Sequence, residues 1–355
     1  MRTFFTVLAC LLGLSIHAQL VFYDASKFPV LGKATENTLS RYERLPGNLE
    51  TALRKQLWDL GRNSAGLTVR FRTNSTSVAA RWETRNNFRM NHMTATGICG
   101  LDLYCLVDGK WIYAGTGMTQ GKQSKATIVK NMTTEEREFM LHLPLYDGPI
   151  ALEIGVDSLA TLSQPMVDLP AQDSPIVFYG TSILQGGCAN RPGMTHTNIL
   201  QRWLQRECIN LGFSGNARLD YEIAHLMASV ENASLFVIDC LPNVTPEKVN
   251  ESMEQFYAII RKAHPDTPIL FIENPPFPNA LFNQEIAKEL ATENKLLGEI
   301  VEKLKKQGDK NVHLFTSENM IGSDGEATVD ACHFTDLGFM RYAEALLPVI
   351  KKLIK

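Results

Sequence analysis

Apolar and polar positions alternate with a period of two in the first half of the chain, which is the pattern of half-buried β-strands. The alternation is clearest at residues 67–72 and 77–82. Further short segments with strand character lie at residues 101–107, 111–115, 138–143 and 150–156. Asp-Gly dipeptides are typical of hairpin turns and occur at residues 108–109 and 147–148. Short strands without long helices between them predict a β-sandwich of the jelly-roll type.

The periodicity changes after a proline-containing connector at residues 169–174. Apolar, strand-like runs follow at residues 175–179, 208–213, 235–240, 268–273 and 312–315. Between and after them, apolar residues recur every three or four positions at 199–207, 221–230, 247–263, 284–306 and 340–354. This alternation predicts a parallel sheet covered by helices on both faces. We therefore expect two domains, a β-sandwich at 19–170 and an α/β domain at 174–355.

The first 18 residues have the features of a secretory signal peptide. Arg2 precedes an apolar run at residues 4–16, and Ala18 is a suitable cleavage point. The run is shorter than the roughly 20 apolar residues needed to span a bilayer, and no later segment is long and apolar enough to do so. The sequence thus predicts cleavage after Ala18 and a periplasmic or secreted mature protein without a membrane span.

Charge and cysteine content exclude some classes of partner and leave others open. The net charge of -3, with both signs mixed along the chain, gives no electrostatic basis for binding nucleic acid. Six cysteines would follow the signal peptide, namely Cys99, Cys105, Cys188, Cys208, Cys240 and Cys332. A disulfide between Cys188 and Cys332 and buried free thiols are both compatible with the sequence. No CxxC or HxxxH spacing occurs, so no metal site is predicted.

The predicted parallel strands are followed by chemically reactive segments. Binding and catalytic sites of such sheets collect at the carboxyl ends of the strands. Four segments follow strands there: Gly180-Thr181-Ser182-Ile183, Ser214-Gly215-Asn216, Leu241-Pro242-Asn243 and, beyond the fifth strand, Asp330-Ala331-Cys332-His333. A serine hydroxyl needs a base to take its proton and donors to hold the oxyanion that it creates, and these segments contain both.

Each residue can be given a role in acyl transfer. Ser182 would be the nucleophile, His333 its base, and Asp330 the carboxylate that orients the imidazole. The backbone N–H groups of Ser182 and Gly215 and the side-chain amide of Asn243 would form the oxyanion hole. Gly215 suits this role because the absence of a Cβ lets the backbone approach a substrate closely.

With these blocks the chain resembles the SGNH (GDSL-like) hydrolases. Their G-D-S, glycine, asparagine and D-x-x-H blocks match residues 180–182, 210–216, 241–243 and 330–333, in the order typical of the family. The resemblance covers about residues 174–355 and extends to bacterial members with an N-terminal β-sandwich, which read YGTSI, QGG and RPG as residues 179–193 do. Two departures are Thr181 in place of the usual Asp, and the absence of the common G-x-N-D surroundings at Asn243.

The resemblance implies a flavodoxin-like three-layer α/β/α domain and hydrolysis of an ester through an acyl-serine intermediate, with no cofactor. Export, the β-sandwich and the likeness to bacterial carbohydrate esterases favour small acyl groups, above all acetyl, on a glycan or other small-molecule ester. A lipase, thioesterase or arylesterase of the same fold is the alternative. A carbohydrate-binding protein with vestigial hydrolase blocks is a different class, against which the intact Ser182, Asp330 and His333 argue. The oligomeric state cannot be read from the sequence.

Two further residues are candidates for substrate binding. Arg191 follows the nucleophile segment and either binds a polar substrate group or forms a salt bridge. His92 belongs to the first domain and reaches the active site only if that domain packs over it; otherwise it lies at the surface or in the domain interface.

Overall fold

The computed structural model describes residues 19–354, so the predicted signal peptide at 1–18 lies outside the described residues. Within that range, none of the helices combines the length and the apolar character that a membrane crossing requires. The chain folds into an antiparallel β-region followed by an α/β region. This order confirms the expected fold class.

Two antiparallel sheets form the first region. Their strands are β1 (Leu20–Asp24), β2 (Val30–Leu31), β3 (Thr68–Thr73), β4 (Val78–Thr84), β5 (Leu101–Val107), β6 (Lys110–Gly117), β7 (Gln123–Val129), β8 (Arg137–His142), β9 (Pro149–Asp157) and β10 (Leu162–Ser163). The strand orders are β1-β9-β4-β7 and β10-β3-β8-β5-β6, and β2 pairs with β3. Two short helices, α1 (Lys55–Gly61) and α2 (Ala95–Cys99), interrupt them.

The two sheets enclose a common apolar core. Alternate residues of β4, Val78, Ala80 and Trp82, are buried in it, whereas Arg81 between them is exposed. Phe71 of β3 stands opposite Phe139 of β8, and their rings stack with centroids 5.4 Å apart. The period of two therefore produces the predicted β-sandwich, because one face of each strand is removed from water.

The second region is built on a five-stranded parallel sheet. Its strands are β11 (Ala171–Gly180), β12 (Arg206–Gly212), β13 (Leu235–Asp239), β14 (Ile269–Ile272) and β15 (Val312–Phe315). They are arranged in the order β12-β11-β13-β14-β15. Its helices are α3 (Ser182–Gln185), α4 (His196–Leu204), α5 (Tyr221–Ala228), α6 (Pro246–Ala263), α7 (Gln284–Lys306) and α8 (Asp336–Leu353). Apolar residues of α5, α6 and α7 pack on one face of the sheet, and those of α4 and α8 pack on the other.

Three local expectations are wrong. Residues 147–148 do not form a hairpin, because β8 and β9, which they join, belong to different sheets. The helix expected at 199–207 ends at Leu204, since Gln205 adopts a left-handed conformation with φ 49° and Glu207 already lies in β12. The expected connector at 169–174 overlaps β11, which begins at Ala171. The hairpin at 108–109 is confirmed, with both residues at positive φ between β5 and β6.

A buried hydrogen bond between Gly32 and Glu207 joins the two regions. Glu207 of β12 is buried, and its carboxylate accepts a hydrogen bond of 2.5 Å from the backbone N–H of Gly32. Burial raises the pKa of Glu207 to about 7, although the Gly32 hydrogen bond lowers it and the nearby Glu36 and Asp168 raise it. An ionised Glu207 is therefore disfavoured in the folded protein.

This buried acid should make stability depend on pH. The pKa of this carboxyl group is near 4.3 in the unfolded chain and about 7 in the folded one. The protonated group therefore contributes its full share to the free energy of unfolding below about pH 4.3, and that contribution is lost as the pH rises through 7. The variant Glu207→Gln keeps an acceptor for Gly32 but does not ionise. We expect it to exceed the parent in urea midpoint more at pH 8 than at pH 5. An equal difference at both pH values would contradict the assignment.

Candidate active site

The turn after β11 places Ser182 at the carboxyl edge of the parallel sheet. The strand ends at Gly180, and α3 begins at Ser182 itself. A Cβ at Gly180 would lie 2.4 Å from the backbone oxygen of Asp239, so the tight packing of the turn requires glycine. The Thr181 hydroxyl accepts a hydrogen bond of 3.3 Å from the Ile183 N–H and caps the first turn of α3.

Ser182, His333 and Asp330 form a continuous hydrogen-bonded chain. The Ser182 Oγ lies 2.9 Å from Nε2 of His333, and Nδ1 of His333 lies 2.8 Å from a carboxylate oxygen of Asp330. Since a carboxylate only accepts, Nδ1 carries the ring proton and Nε2 is free to accept the serine proton. The arrangement can therefore pass a proton from serine to imidazole, as in a Ser-His-Asp triad.

The loop that carries Asp330 and His333 is held by its own backbone. Val329 donates to the carbonyl oxygen of His333 at 2.8 Å, and Asp330 accepts from the backbone N–H of His333 at 2.8 Å and of Cys332 at 3.2 Å. Partial burial raises the pKa of Asp330, but the hydrogen bonds from His333 outweigh it and bring the pKa below its usual value. Asp330 is thus a carboxylate at neutral pH and can stabilise an imidazolium.

Three N–H groups in the segments that follow β11, β12 and β13 are available as donors. Within residues 19–354, no acceptor of the protein takes the backbone N–H of Ser182 or Gly215 or the side-chain N–H groups of Asn243. Gly215 has a φ of 66°, and a Cβ there would meet no atom within 4 Å, so its backbone borders open space. The Asn243 Oδ1 accepts from Ala217 N–H at 3.2 Å, which fixes the amide and leaves Nδ2 as the free donor. These donors suit an oxyanion.

Comparisons with known proteins agree with this geometry. Residues 173–351 match the model of the GDSL-like lipase/acylhydrolase family, and residues 20–162 match the model of the N-terminus of SGNH hydrolase-type esterases. The chain belongs to the GDSL-like lipase/acylhydrolase family. A crystal structure from Bacteroides ovatus, described as a GDSL-like lipase, is 36% identical, covers 94% of this chain and 98% of its own, and has a TM-score of 0.90.

More distant solved structures share the fold. The salicylyl-acyltransferase SsfX3 of a tetracycline biosynthetic pathway is 19% identical over 92% of this chain and 95% of its own, with a TM-score of 0.74. A family two carbohydrate esterase from Cellvibrio japonicus is 12% identical over 95% and 98%, with a TM-score of 0.59. A search of the curated proteins gives no match. These distant structures show the shared fold, whereas the match to the acylhydrolase family model supports the predicted esterase class of this SGNH hydrolase.

The structure brings His92 into the active site of this SGNH hydrolase. Its ring, from the loop before α2, lies with its centroid 5.5 Å from that of His333. Nδ1 of His92 lies 3.0 Å from the Asn91 Oδ1. The first domain thus packs over the catalytic edge, which was the condition for His92 to reach a substrate. The residue is half-buried and borders the base.

Arg191 takes the salt-bridge role, one of the two roles that its sequence position left open. Its guanidinium lies 2.7 Å from the carboxylate of Asp102 and 2.7 Å from the Tyr104 hydroxyl, both on β5. Asp102 is fully buried and also accepts from Gly193 N–H at 2.8 Å. Burial raises the pKa of Asp102, while Arg191 opposes the shift. Arg191 therefore ties the nucleophile loop to the β-sandwich.

Three residues of the first domain support the site and were not identified from the sequence. Arg44 donates to the carbonyl oxygens of Asn210 and Gly212 at the end of β12. Arg54 binds the side chain and carbonyl of Asn216. The Tyr146 hydroxyl donates to the backbone oxygen of Ser182 at 3.3 Å. Their positions depend on the domain interface, and no local motif marks them.

The Asn243 amide offers a direct test of the oxyanion hole. Loss of one side-chain donor of this kind typically lowers kcat by a factor of about 100 to 1,000. The variant Asn243→Ala should lower kcat on p-nitrophenyl acetate by that order while KM changes little, because the donor acts mainly in the transition state. The neighbouring Asn250→Ala, an exposed position on α6, is the control. An unchanged kcat would show that the third donor lies elsewhere.

Proposed function

We propose that this esterase is exported and removes small acyl groups, above all acetyl groups, from carbohydrate esters. The observation that carries the esterase mechanism is the hydrogen-bonded chain from Ser182 through His333 to Asp330. In this proposal Ser182 attacks the ester carbonyl while His333 takes its proton. The oxyanion is held by the N–H groups of Ser182 and Gly215 and the amide of Asn243.

The second half of the reaction uses the same residues. His333 gives its proton to the departing alcohol, and an acyl-Ser182 intermediate remains. His333 then takes a proton from water as the water oxygen attacks the acyl group. When the bond between the acyl carbon and Ser182 Oγ breaks, His333 returns that proton to Oγ and the acid leaves. Asp330 stays ionised throughout and stabilises the imidazolium in both steps. Water is the second substrate, and the acid, base and nucleophile of these steps are side chains of the protein.

Support for a carbohydrate substrate comes from two sources. Several solved structures with this fold are described as family two carbohydrate esterases, at 12% to 15% identity. In the chain itself, the first domain presents His92 beside the base, where its imidazole could bind the hydroxyl groups of a sugar. Export is supported by the sequence of residues 1–18 and is tested by sequencing the N-terminus of the mature protein, which we expect to begin at Gln19.

An apolar cavity favours a second candidate, an esterase for longer acyl chains. The cavity has a volume of about 430 Å³ and is lined by Phe277, Leu281, Ile321 and other residues. Ala327 and Thr328, which lead into the catalytic loop, form part of its wall. An alkyl or aryl group could be buried there at a gain of about 25 cal/mol per Å². The two candidates differ in the acyl length that they favour.

Hydrolysis of a substrate series separates these candidates. We expect kcat/KM to be highest for p-nitrophenyl acetate and to fall for butyrate and octanoate, and we expect acetate release from at least one acetylated glycan. The variant Ser182→Ala should lose nearly all turnover and all labelling by a fluorophosphonate, because the acyl intermediate cannot form. A preference for octanoate would support the second candidate. Turnover retained by Ser182→Ala would exclude the mechanism.

His92→Ala tests the contribution of the first domain to substrate binding. If the imidazole binds the sugar in ground and transition states alike, the variant should raise KM for an acetylated glycan more than it lowers kcat. His225→Ala, an exposed histidine on α5, is the matched control. A variant with parental kinetics on every glycan tested would remove His92 from the binding site.

A further inference from the structure

Three side chains with metal-binding atoms meet at the mouth of the active site. The ligand atoms of His92, Cys188 and His333 all lie within 4.8 Å of one another. They come from three separate segments: the loop before α2, the loop after the nucleophile and the catalytic loop. A Cβ added to Gly187 would lie 3.0 Å from Cδ2 of His333, which places the backbone beside Cys188 against the Nε2 side of the ring.

The hydrogen bonds at Nδ1 favour, in both imidazoles, the tautomer that leaves Nε2 free for a metal ion. Nδ1 of His333 donates to the Asp330 carboxylate. Nδ1 of His92 lies 3.0 Å from the side-chain oxygen Oδ1 of Asn91, an atom that can only accept. In this tautomer the lone pair of Nε2 is available on each ring. Metal-binding histidines almost always donate their second N–H to a carboxylate or carbonyl in this manner.

We propose that His92, Cys188 and His333 form a binding site for a soft divalent cation of the Zn²⁺ class, and that the bound cation inhibits the esterase. Two imidazole nitrogens and one sulfur, with a fourth position open to water, are a ligand set that suits Zn²⁺. Mg²⁺ and Ca²⁺ prefer oxygen ligands and would not compete. The inhibition rests on the proposed function, in which Nε2 of His333 must accept the proton of Ser182.

The side chains can close around a cation with a small movement. Zn–N bonds of about 2.0 Å and Zn–S bonds of about 2.3 Å place neighbouring ligand atoms about 3.5 Å apart. The present limit of 4.8 Å requires a shift of roughly 1 Å, which the half-exposed His92 can provide from its loop. Burial raises the pKa of Cys188 to about 12, so the thiol is protonated until the cation displaces its proton.

Occupation of the site excludes catalysis because the cation and the serine proton use the same lone pair. The hydrogen bond of 2.9 Å between Ser182 and His333 would be lost when Nε2 coordinates the cation. The inhibition should be reversible, since a chelator that removes the cation restores the free base. Ser182 itself is not a ligand in this arrangement, so the site can be studied in a variant without turnover.

The first experiment measures inhibition of p-nitrophenyl acetate hydrolysis by ZnCl₂ in the full chain freed of metal. We expect inhibition that EDTA reverses and that MgCl₂ does not reproduce. Cys188→Ala and His92→Ala should each raise the inhibitory Zn²⁺ concentration by more than about tenfold, each judged against its own uninhibited rate. Cys332→Ala is the matched control, because this thiol neighbours His333 but is not in the cluster. Equal inhibition of the parent and Cys188→Ala would overturn the proposal.

The second experiment detects the cation directly in Ser182→Ala. Addition of Co²⁺ should give the thiolate-to-cobalt charge-transfer band and the visible bands of four-coordinate Co²⁺, and Cys188→Ala in the same background should abolish the charge-transfer band. A spectrum without that band would overturn the site whatever the esterase assays show. A band in a protein whose parent hydrolyses no ester would leave the site in place and reject the proposed function instead.

Discussion

A buried guanidinium joins the two domains, and the active site depends on the position that it fixes. Arg44 is 1% exposed and donates to the carbonyl oxygens of Leu60 and Asn63 in its own region and of Asn210 and Gly212 in the α/β region. Within residues 19–354 no carboxylate pairs with it. Burial lowers its pKa to about 9, so it remains charged at neutral pH. A charge so deeply buried is tolerated only while all these acceptors stay in place.

The same interface reaches the loop that follows β12. Gly212, which Arg44 holds, ends β12 and leads directly into the loop that carries Gly215. Arg54 makes two hydrogen bonds to Asn216, the residue after Gly215 in this loop. Its ion pair with Asp220 is a further contact between the domains. The first domain thus contacts the loop that carries Gly215, one of the proposed oxyanion donors, although it contributes none of the proposed triad. Separation of the domains would expose Arg44 and release the loop together.

The sequence predicts the candidate active-site residues better than it predicts the contacts between the two domains. Ser182 and His333 could be found because parallel strands must end at a common edge, so residues that follow different strands meet there. The relation between Asp102 and Arg191 could not be found, because an ion pair across a domain interface has no periodicity and no fixed spacing. The same reason applies to His92, whose position depends on how the β-sandwich packs, and to residues 147–148, where the turn residues do not reveal that the chain changes sheets.

In the part of the chain that the structure describes, the N–H of Gly215 stays free, whereas the neighbouring backbone N–H groups of the loop all have acceptors. The backbone N–H of Ser214 donates to the Gln185 side chain, that of Asn216 to the carbonyl of Phe213, and that of Ala217 to the Asn243 side chain. Each bond removes one donor of the loop from competition, and Gly215 lies among them in a left-handed conformation. In the proposed mechanism this N–H is free before substrate arrives, so the oxyanion would meet a donor that is already in place. The Asn243 side chain has two parts in this proposal. Its oxygen accepts from the Ala217 N–H and so holds the loop, and its nitrogen stays free for the proposed oxyanion.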